Sequence, residues 1–341
     1  MILFLNDYSE GAHPRVLEGM QAGNLSQCCG YGLDEVSLRA HERVRALIGC
    51  PEADVHLLVG GTSANLIALT AFLRPHEAVV CADCGHINTH ETGAVEGAGH
   101  KILSVPAENG KLTAGALRAV VATHTDEHMV RPRVAFISNA SELGTVYSLD
   151  ELRALRAACD ELGMYLYMDG ARLCSALASE GCDVTFADLP RLCDAFYIGG
   201  TKNGALLGEA MVVVHPALKP DFRYLIKNRG GMLAKGFVVG RQFDVLLADG
   251  LCMDLARHAN AMAQVVRAAL TARGVPFFVQ TATNQLFPIL TQAQMDFLSR
   301  DFGFQVWSPL PDGRTAVRFV TSWATPEQNA RALADAIARM P

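Results

Sequence analysis

The chain has 341 residues and a formal net charge of −6; half of its residues are hydrophobic and 19% are charged. That length exceeds the roughly 250–300 residues that one hydrophobic core usually holds, so two domains are expected, and the acidic balance argues against a general attraction to nucleic acid or an anionic membrane surface. The mean hydropathy of +0.19 is apolar enough to predict surface covered by further copies of the chain, with small molecules as the other partners.

The first residues, Met1-Ile2-Leu3-Phe4-Leu5-Asn6-Asp7, lack a basic region and turn polar at once, so no signal peptide is expected. No apolar run approaches the roughly 20 residues that cross a bilayer. The pattern over Val36–Ile48 predicts an amphipathic helix stopped by Gly49. A strand at His56–Val59 runs into Gly60-Gly61-Thr62-Ser63, and Ala64–Leu73 reads as a helix ended by Pro75. Short apolar runs follow at Ala78–Cys81, Ile102–Val105, Val134–Ser138, Tyr165–Met168 and Ala195–Ile198, separated by helical segments such as Leu149–Leu162. Strands alternating with helices predict an α/β domain with a mostly parallel sheet, placed here at residues 1–250. A helix at Asp254–Arg273 would lead into a small C-terminal α+β domain at 251–341. Its strands are Asn284–Leu290, Phe304–Trp307 and Thr315–Thr321, and a helix at Pro326–Met340 closes it. Ten cysteines are scattered without the dense spacing of a disulfide scaffold, so a reducing cytoplasm is the expected compartment.

In open α/β sheets ligands gather at the carboxyl ends of the strands, so the residues just past each apolar run carry the information. Three such exits stand out: Asp169-Gly170-Ala171-Arg172, Gly199-Gly200-Thr201-Lys202 and Gly60-Gly61-Thr62-Ser63. They offer a carboxylate, an amine and an anion cradle at one sheet edge. Pyridoxal phosphate (PLP) needs those three groups: an amine to carry its aldehyde as an imine, a carboxylate to keep its pyridine nitrogen protonated, and a helix N-terminus for its phosphate. Lys202, flanked by glycines that let the backbone approach a ring, is the expected anchor; a lysine after a buried strand also loses proton affinity, as a nucleophilic amine must.

Other uses of these residues stay open at this point. Asp169 could cap the next helix, Arg172 could cap or pair, and Gly61-Thr62-Ser63 could be an ordinary N-cap. His86, past Ala78–Cys81, could stack on a ring, move protons or sit satisfied in a loop. His124 and His128 fall in a polar stretch. Cys81-Ala82-Asp83-Cys84 is a lone CxxC and His86, His90 and Glu91 do not form HExxH, so no metal site is expected. The P-loop, GxGxxG and GxSxG motifs are absent, which argues against nucleotide, dinucleotide and serine-hydrolase chemistry.

Taken together, these motifs resemble the low-specificity L-threonine aldolases of the β-eliminating lyase group, PLP enzymes of the aspartate-aminotransferase fold (fold type I). The similarity runs from Asn6-Asp7-Tyr8-Ser9 through Tyr31-Gly32-Leu33-Asp34, Gly85-His86-Ile87 and the Asp169 and Lys202 segments to Val317-Arg318-Phe319. It implies that Lys202 forms the imine, Asp169 bonds the pyridine nitrogen, His86 stacks on the ring, and Gly61 and Thr62 take the phosphate. Arg172 and Arg318 would grip the substrate carboxylate, a task for a planar bidentate donor, with Asn6 and Tyr31 also near the substrate. His128 matches a second histidine near the substrate hydroxyl, so either histidine could be the base. The run Arg223, Lys227, Arg229 matches a segment that reaches a neighbouring subunit's cofactor, which places the active sites of a homodimer or homotetramer at the interface; a solvated basic face is its alternative. Asn6, Asn139-Ala140-Ser141 and Thr201-Lys202-Asn203-Gly204 depart from the commoner family residues, close to where the substrate would lie.

The expected reaction is reversible cleavage of a β-hydroxy-α-amino acid to glycine and an aldehyde. Its rivals are another PLP reaction such as β-elimination or racemisation, marked by pyruvate and ammonia released from serine, and a non-catalytic relative that does not turn yellow with PLP.

Overall fold

A computed structural model describes residues 1–341. Its centre is a seven-stranded sheet made of β1 (Asp54–Leu58), β2 (Glu77–Ala82), β3 (Lys101–Val105), β4 (Arg131–Ser138), β5 (Tyr165–Asp169), β6 (Ala195–Gly199) and β7 (Glu209–Val213). The spatial order is β1-β7-β6-β5-β4-β2-β3. Strands β3, β2, β4, β5 and β6 pair in parallel, whereas β7 runs antiparallel to both β6 and β1. Sequence patterning predicts every one of these strands except β7.

The strands are near-continuous apolar runs because both sheet faces are covered. Successive side chains alternate between faces, so the runs divide cleanly. Val80, Ile137, Met168, Phe196 and Val212 point into one core with helices Glu35–Ile48, Leu149–Leu162 and Phe237–Leu246. Cys81, Phe136, Tyr167, Tyr197 and Met211 point into the other, under helices Gly61–Phe72 and Phe222–Asn228. The helix boundaries follow local chemistry. Asp34 caps Glu35–Ile48 by accepting from the Ser37 amide at 2.9 Å, and Gly49 ends that helix in the left-handed region at φ 64°. Ser148 and Glu151 form a capping box at the start of Leu149–Leu162.

Beyond the long helix Leu251–Ala272 the chain builds a second, antiparallel sheet from β8 (Phe277–Val279), β9 (Gln285–Leu290), β10 (Gln305–Pro309) and β11 (Thr315–Val320), in the order β10-β11-β9-β8. A separate core of Val266, Leu286, Phe319 and Leu333 joins this sheet to helices Leu251–Ala272 and Glu327–Arg339. The N-terminal segment belongs to this region as well. Ile2–Leu3 pairs with Phe302–Gly303, Phe4 is buried in the same core, and the Phe4 carbonyl accepts from the Val320 amide at 2.9 Å.

Candidate active site

Strands β1, β2, β4, β5 and β6 end at one edge of the large sheet, and the reversed β7 begins there. A cavity of about 660 Å³ lies along this edge. Asn6, Gly61, Thr62, His86, Asp169, Arg172, Lys202 and Arg318 all line it. The large-sheet exits, the N-terminal segment and the second sheet thus bring residues spread over more than 300 positions to one cavity.

Asp169 is the last residue of β5 and is 4% exposed. A buried carboxylate requires partners, and it has three. One oxygen accepts from the Tyr197 hydroxyl at 2.5 Å and the Ala171 amide at 2.9 Å, and the other from the Asn65 amide nitrogen at 2.9 Å. Asn65 is oriented in turn by the Tyr167 hydroxyl, which donates to its carbonyl oxygen at 2.9 Å. Tyr167 and Tyr197 leave the same sheet face on neighbouring strands, so β-pairing sets the orientation of the carboxylate.

Lys202 follows β6 in the turn Gly200–Gly204 and is half-buried at the cavity floor. Burial, reinforced by the Arg172 charge, pulls its amine below the ordinary lysine range. The chain then returns through Gly208 to β7, whose first residue, Glu209, is 3% exposed and accepts from the Gly200 amide at 3.1 Å. Burial pushes the Glu209 carboxyl up to about 8 against the opposing effects of Thr201 and Lys202. An unfolded glutamate loses its proton near pH 4.5. From there to about pH 8 the folded chain therefore binds the extra proton at this group, and its contribution to stability falls as pH rises through that window. Glu209→Gln removes this titration. Urea unfolding should show the variant gaining on the parent between about pH 5 and about pH 8; a difference independent of pH would show that Glu209 ionises normally.

Helix Gly61–Phe72 begins at the cavity wall, and no side chain caps its first turn. Its free amides and the Thr62 hydroxyl make an anion cradle. Gly61 is required for space rather than conformation: a Cβ there would stand 2.9 Å from the Tyr197 hydroxyl oxygen that serves Asp169.

His86 opens a single helical turn after β2. Its Nδ1 lies 2.8 Å from Glu91 Oε1, which also accepts from Asn65 at 2.8 Å. Burial opposes charge on His86, but the Glu91 bond and the nearby Glu142 and Asp169 outweigh it and raise its pKa. His90, one turn on, lines the same cavity, and burial with the cations His86, Arg318 and Lys202 lowers its pKa against the pull of Glu142.

The two arginines differ. Arg172 grips Asp7 through Nε at 2.7 Å and Nη2 at 2.9 Å, and Asn284 donates to the same carboxylate at 2.9 Å. Arg318, on β11, donates from Nη1 to Gln285 at 3.2 Å and lies 5.3 Å from the Trp307 ring centre. It forms no salt bridge, and its buried Nε has no partner. Burial and the Arg172 charge accordingly lower its pKa. A half-buried guanidinium left without a counter-charge is a ready site for a carboxylate.

A family profile described as beta-eliminating lyase matches residues 8–293. This chain belongs to the beta-eliminating lyase family. Among curated relatives of this lyase, the low-specificity L-threonine aldolase of Pseudomonas sp. (strain NCIMB 10558) is 34% identical over 334 residues, 97% of this chain and 95% of that one. A solved structure of Leishmania major threonine aldolase superposes with a TM-score of 0.98 at 44% identity, covering 99% of each chain. An aspartate aminotransferase from Thermus thermophilus matches with a TM-score of 0.73 at 17% identity, covering 99% of this chain and 91% of that one. The lyase therefore has the aminotransferase fold type I, and it is a PLP-dependent lyase by family. The cavity fits that cofactor: an amine of lowered basicity, a partnered carboxylate, an uncapped helix N-terminus and a glycine where a methyl group would collide.

Three expected site residues of the lyase stand outside the cavity. His128 is exposed, 3.3 Å from Asp126, in the turn that precedes β4. It thus lies at the opposite end of an eight-residue strand, roughly 25 Å from the cavity edge, and the second cavity histidine is His90 instead. Tyr31 and Arg229 are also exposed and do not line the cavity. Tyr31 lies with the basic segment on the surface, its ring centre 4.6 Å from Lys227 Nζ and its carbonyl 3.3 Å from Arg223.

Sequence patterning missed Glu142, His90, Glu209, Tyr197 and Trp307. Two of them carried a signal. Glu142 follows the β4 exit as Lys202 follows that of β6, and His90 sits at helical spacing from His86. Glu209 had none, because it enters a strand rather than leaving one.

Proposed function

We propose that this chain is a PLP-dependent aldolase that cleaves β-hydroxy-α-amino acids of the L-threonine or L-allo-threonine type, reversibly, to glycine and an aldehyde. The observation that carries the reading is the unpaired Arg318 guanidinium in the same cavity as Lys202 and Asp169, an arrangement suited to an α-amino acid. Its relatives named as threonine aldolases then select the reaction. When bound, PLP supplies an electron sink for the pair released from the Cα–Cβ bond.

On this reading Lys202 holds the cofactor covalently, Asp169 bonds its pyridine nitrogen, Gly61 and Thr62 bind its phosphate, and His86 lies on its ring. The hydrogen bond to Glu91 fixes the His86 ring plane, and its raised pKa favours a charged, donating imidazole. Arg318 takes the substrate carboxylate with Arg172, whose Nη1 remains free once Asp7 has claimed its other nitrogens, and Asn6 lies at the substrate's edge. Tyr31 and Arg229 act on the active site of a neighbouring subunit in a homodimer or homotetramer, a role supported by the exposure of both and by the contacts of Tyr31 with Arg223 and Lys227 of the same basic segment. Residues 1–250 form the cofactor-holding domain and 251–341 the small domain that brings Arg318. A cytoplasmic setting suits the ten free thiols; no helix is long and apolar enough to cross a membrane.

The test is aldehyde release from L-threonine, L-allo-threonine and phenylserine by the PLP-loaded protein. A loaded protein that releases no aldehyde from any β-hydroxy amino acid, or that makes pyruvate and ammonia from serine in its place, overturns the proposal. Removing a charge-assisted contact costs about 1.5–3 kcal/mol, so Arg318→Ala should raise the amino-acid KM roughly 10- to 100-fold. PLP absorbance in that variant should stay as in the parent; an unchanged KM would remove Arg318 from the substrate site.

A further inference from the structure

Cleavage of a β-hydroxy amino acid needs a group that takes the hydroxyl proton. His128 is at the far end of β4. His86 has its Nδ1 committed to Glu91 and is the group assigned to the cofactor ring.

The carboxylates in and beside the cavity can be sorted by their partners. Asp7 is forked by Arg172 and bonded by Asn284. Asp169 accepts from Tyr197, Ala171 and Asn65 and is the carboxylate assigned to the pyridine nitrogen; Glu91 serves Asn65 and His86 through Oε1, and its Oε2 is unpartnered but buried outside the cavity lining. Glu209 is buried under the lysine turn, bonded to Gly200. Glu142 differs in presenting a free oxygen at the cavity itself. It lines the cavity, accepts one hydrogen bond, from the Ser138 hydroxyl to Oε1 at 3.0 Å, and leaves Oε2 with no protein partner.

Its position is fixed by the turn after β4. The Ser141 amide donates to Thr145 at 2.8 Å and the Gly144 amide to Ser141 at 2.8 Å. Thr283 clamps the Gly144 carbonyl at 2.9 Å. Gly144 has φ 73°, and a Cβ there would come within 3.1 Å of Thr281 and Thr283, so the turn admits only glycine. The charge of Glu142 acts on Lys202, Arg172, Arg318, His86 and His90 together, which places it centrally among the groups assigned to cofactor and substrate.

We infer that Glu142, through its unpartnered Oε2, is the general base that takes the proton from the substrate's β-hydroxyl. This rests on the aldolase reading above. The O–H proton moves to Oε2, the O–H electron pair becomes the second bond of the aldehyde carbonyl, and the Cα–Cβ pair stays on Cα, delocalised into the cofactor. A proton delivered to Cα then completes glycine. In the synthetic direction the protonated Glu142 returns its proton to the forming alkoxide.

The experiment compares Glu142→Gln and Glu142→Asp with the parent in two reactions of the PLP-loaded protein. One is aldehyde release from L-threonine. The other is exchange of the glycine α-proton into D2O, followed by NMR, which uses the same cofactor and carboxylate contacts but involves no β-hydroxyl. Glu142→Gln should lower the cleavage kcat by about 10²- to 10⁴-fold, with parent-like PLP absorbance and glycine exchange. Glu142→Asp, which keeps a carboxylate on a shorter arm, should fall between. Cleavage by Glu142→Gln at the parent rate overturns the inference, as does loss of cleavage and glycine exchange together, which marks a structural role. Parent protein that exchanges glycine but cleaves no β-hydroxy amino acid overturns the aldolase reading itself, and is told apart from the other outcomes because no variant is involved.

Discussion

Lys202→Ala should lower kcat by about 10⁴-fold, the upper end of what a positioned proton-transferring group contributes, and should leave no cofactor attached after borohydride reduction. The expectation follows from placement. The amine sits in a glycine-flanked turn at the cavity floor, with its basicity reduced by burial and by Arg172, so no exposed lysine can replace it as an uncharged nucleophile at neutral pH. Mass spectrometry of the reduced parent should find PLP on the peptide that contains Lys202. Attachment at any other lysine, or activity surviving the substitution, would refute the assignment.

Asp169→Ala should lower kcat by about 10²- to 10³-fold, the cost of removing one preorganised electrostatic partner. PLP should still bind as an imine, since Lys202 and the helix N-terminus are untouched. Absorbance should therefore persist while the long-wavelength change on adding glycine weakens. The substitution also strands the Tyr197 hydroxyl and the Asn65 amide in a buried site, and an unpartnered buried polar group costs about 1–3 kcal/mol. Asp169→Asn separates the two effects, because it keeps the volume and removes the charge. A slow asparagine variant of parent stability would assign the loss to charge; parent-like kinetics would show that no protonated ring nitrogen faces this position.

The parallel half of the fold was legible because its strands are buried on both faces and so read as unbroken apolar runs between amphipathic helices. The reversed strand β7 was not, because Glu209–Val213 follows a glycine-rich turn with no intervening helix and the alternation cue fails. The same gap hid Glu209. The cavity-lining residues at parallel strand exits, Asp169, Lys202 and His86, carried a positional mark, although their roles stayed open until the family resemblance was added. Arg318 was reached through family resemblance, since an arginine within an antiparallel strand has no positional mark. Its lack of a counter-ion, which gives it meaning, exists only once Asp7 is seen to be taken by Arg172. His128 shows the converse: a histidine near a strand reads alike at either end, and this one falls at the sheet edge away from its own chain's cavity.

The N-terminal segment gives the cavity a mechanical property. Phe4 is bonded to β11, the strand that carries Arg318, and Asp7, three residues on, holds Arg172 beside β5. The two guanidinium groups are thus tethered through a short strap rather than mounted independently on the two lobes. The gap between the arginines is therefore spanned by the backbone of residues 4–7, so one short segment of chain is shared by both.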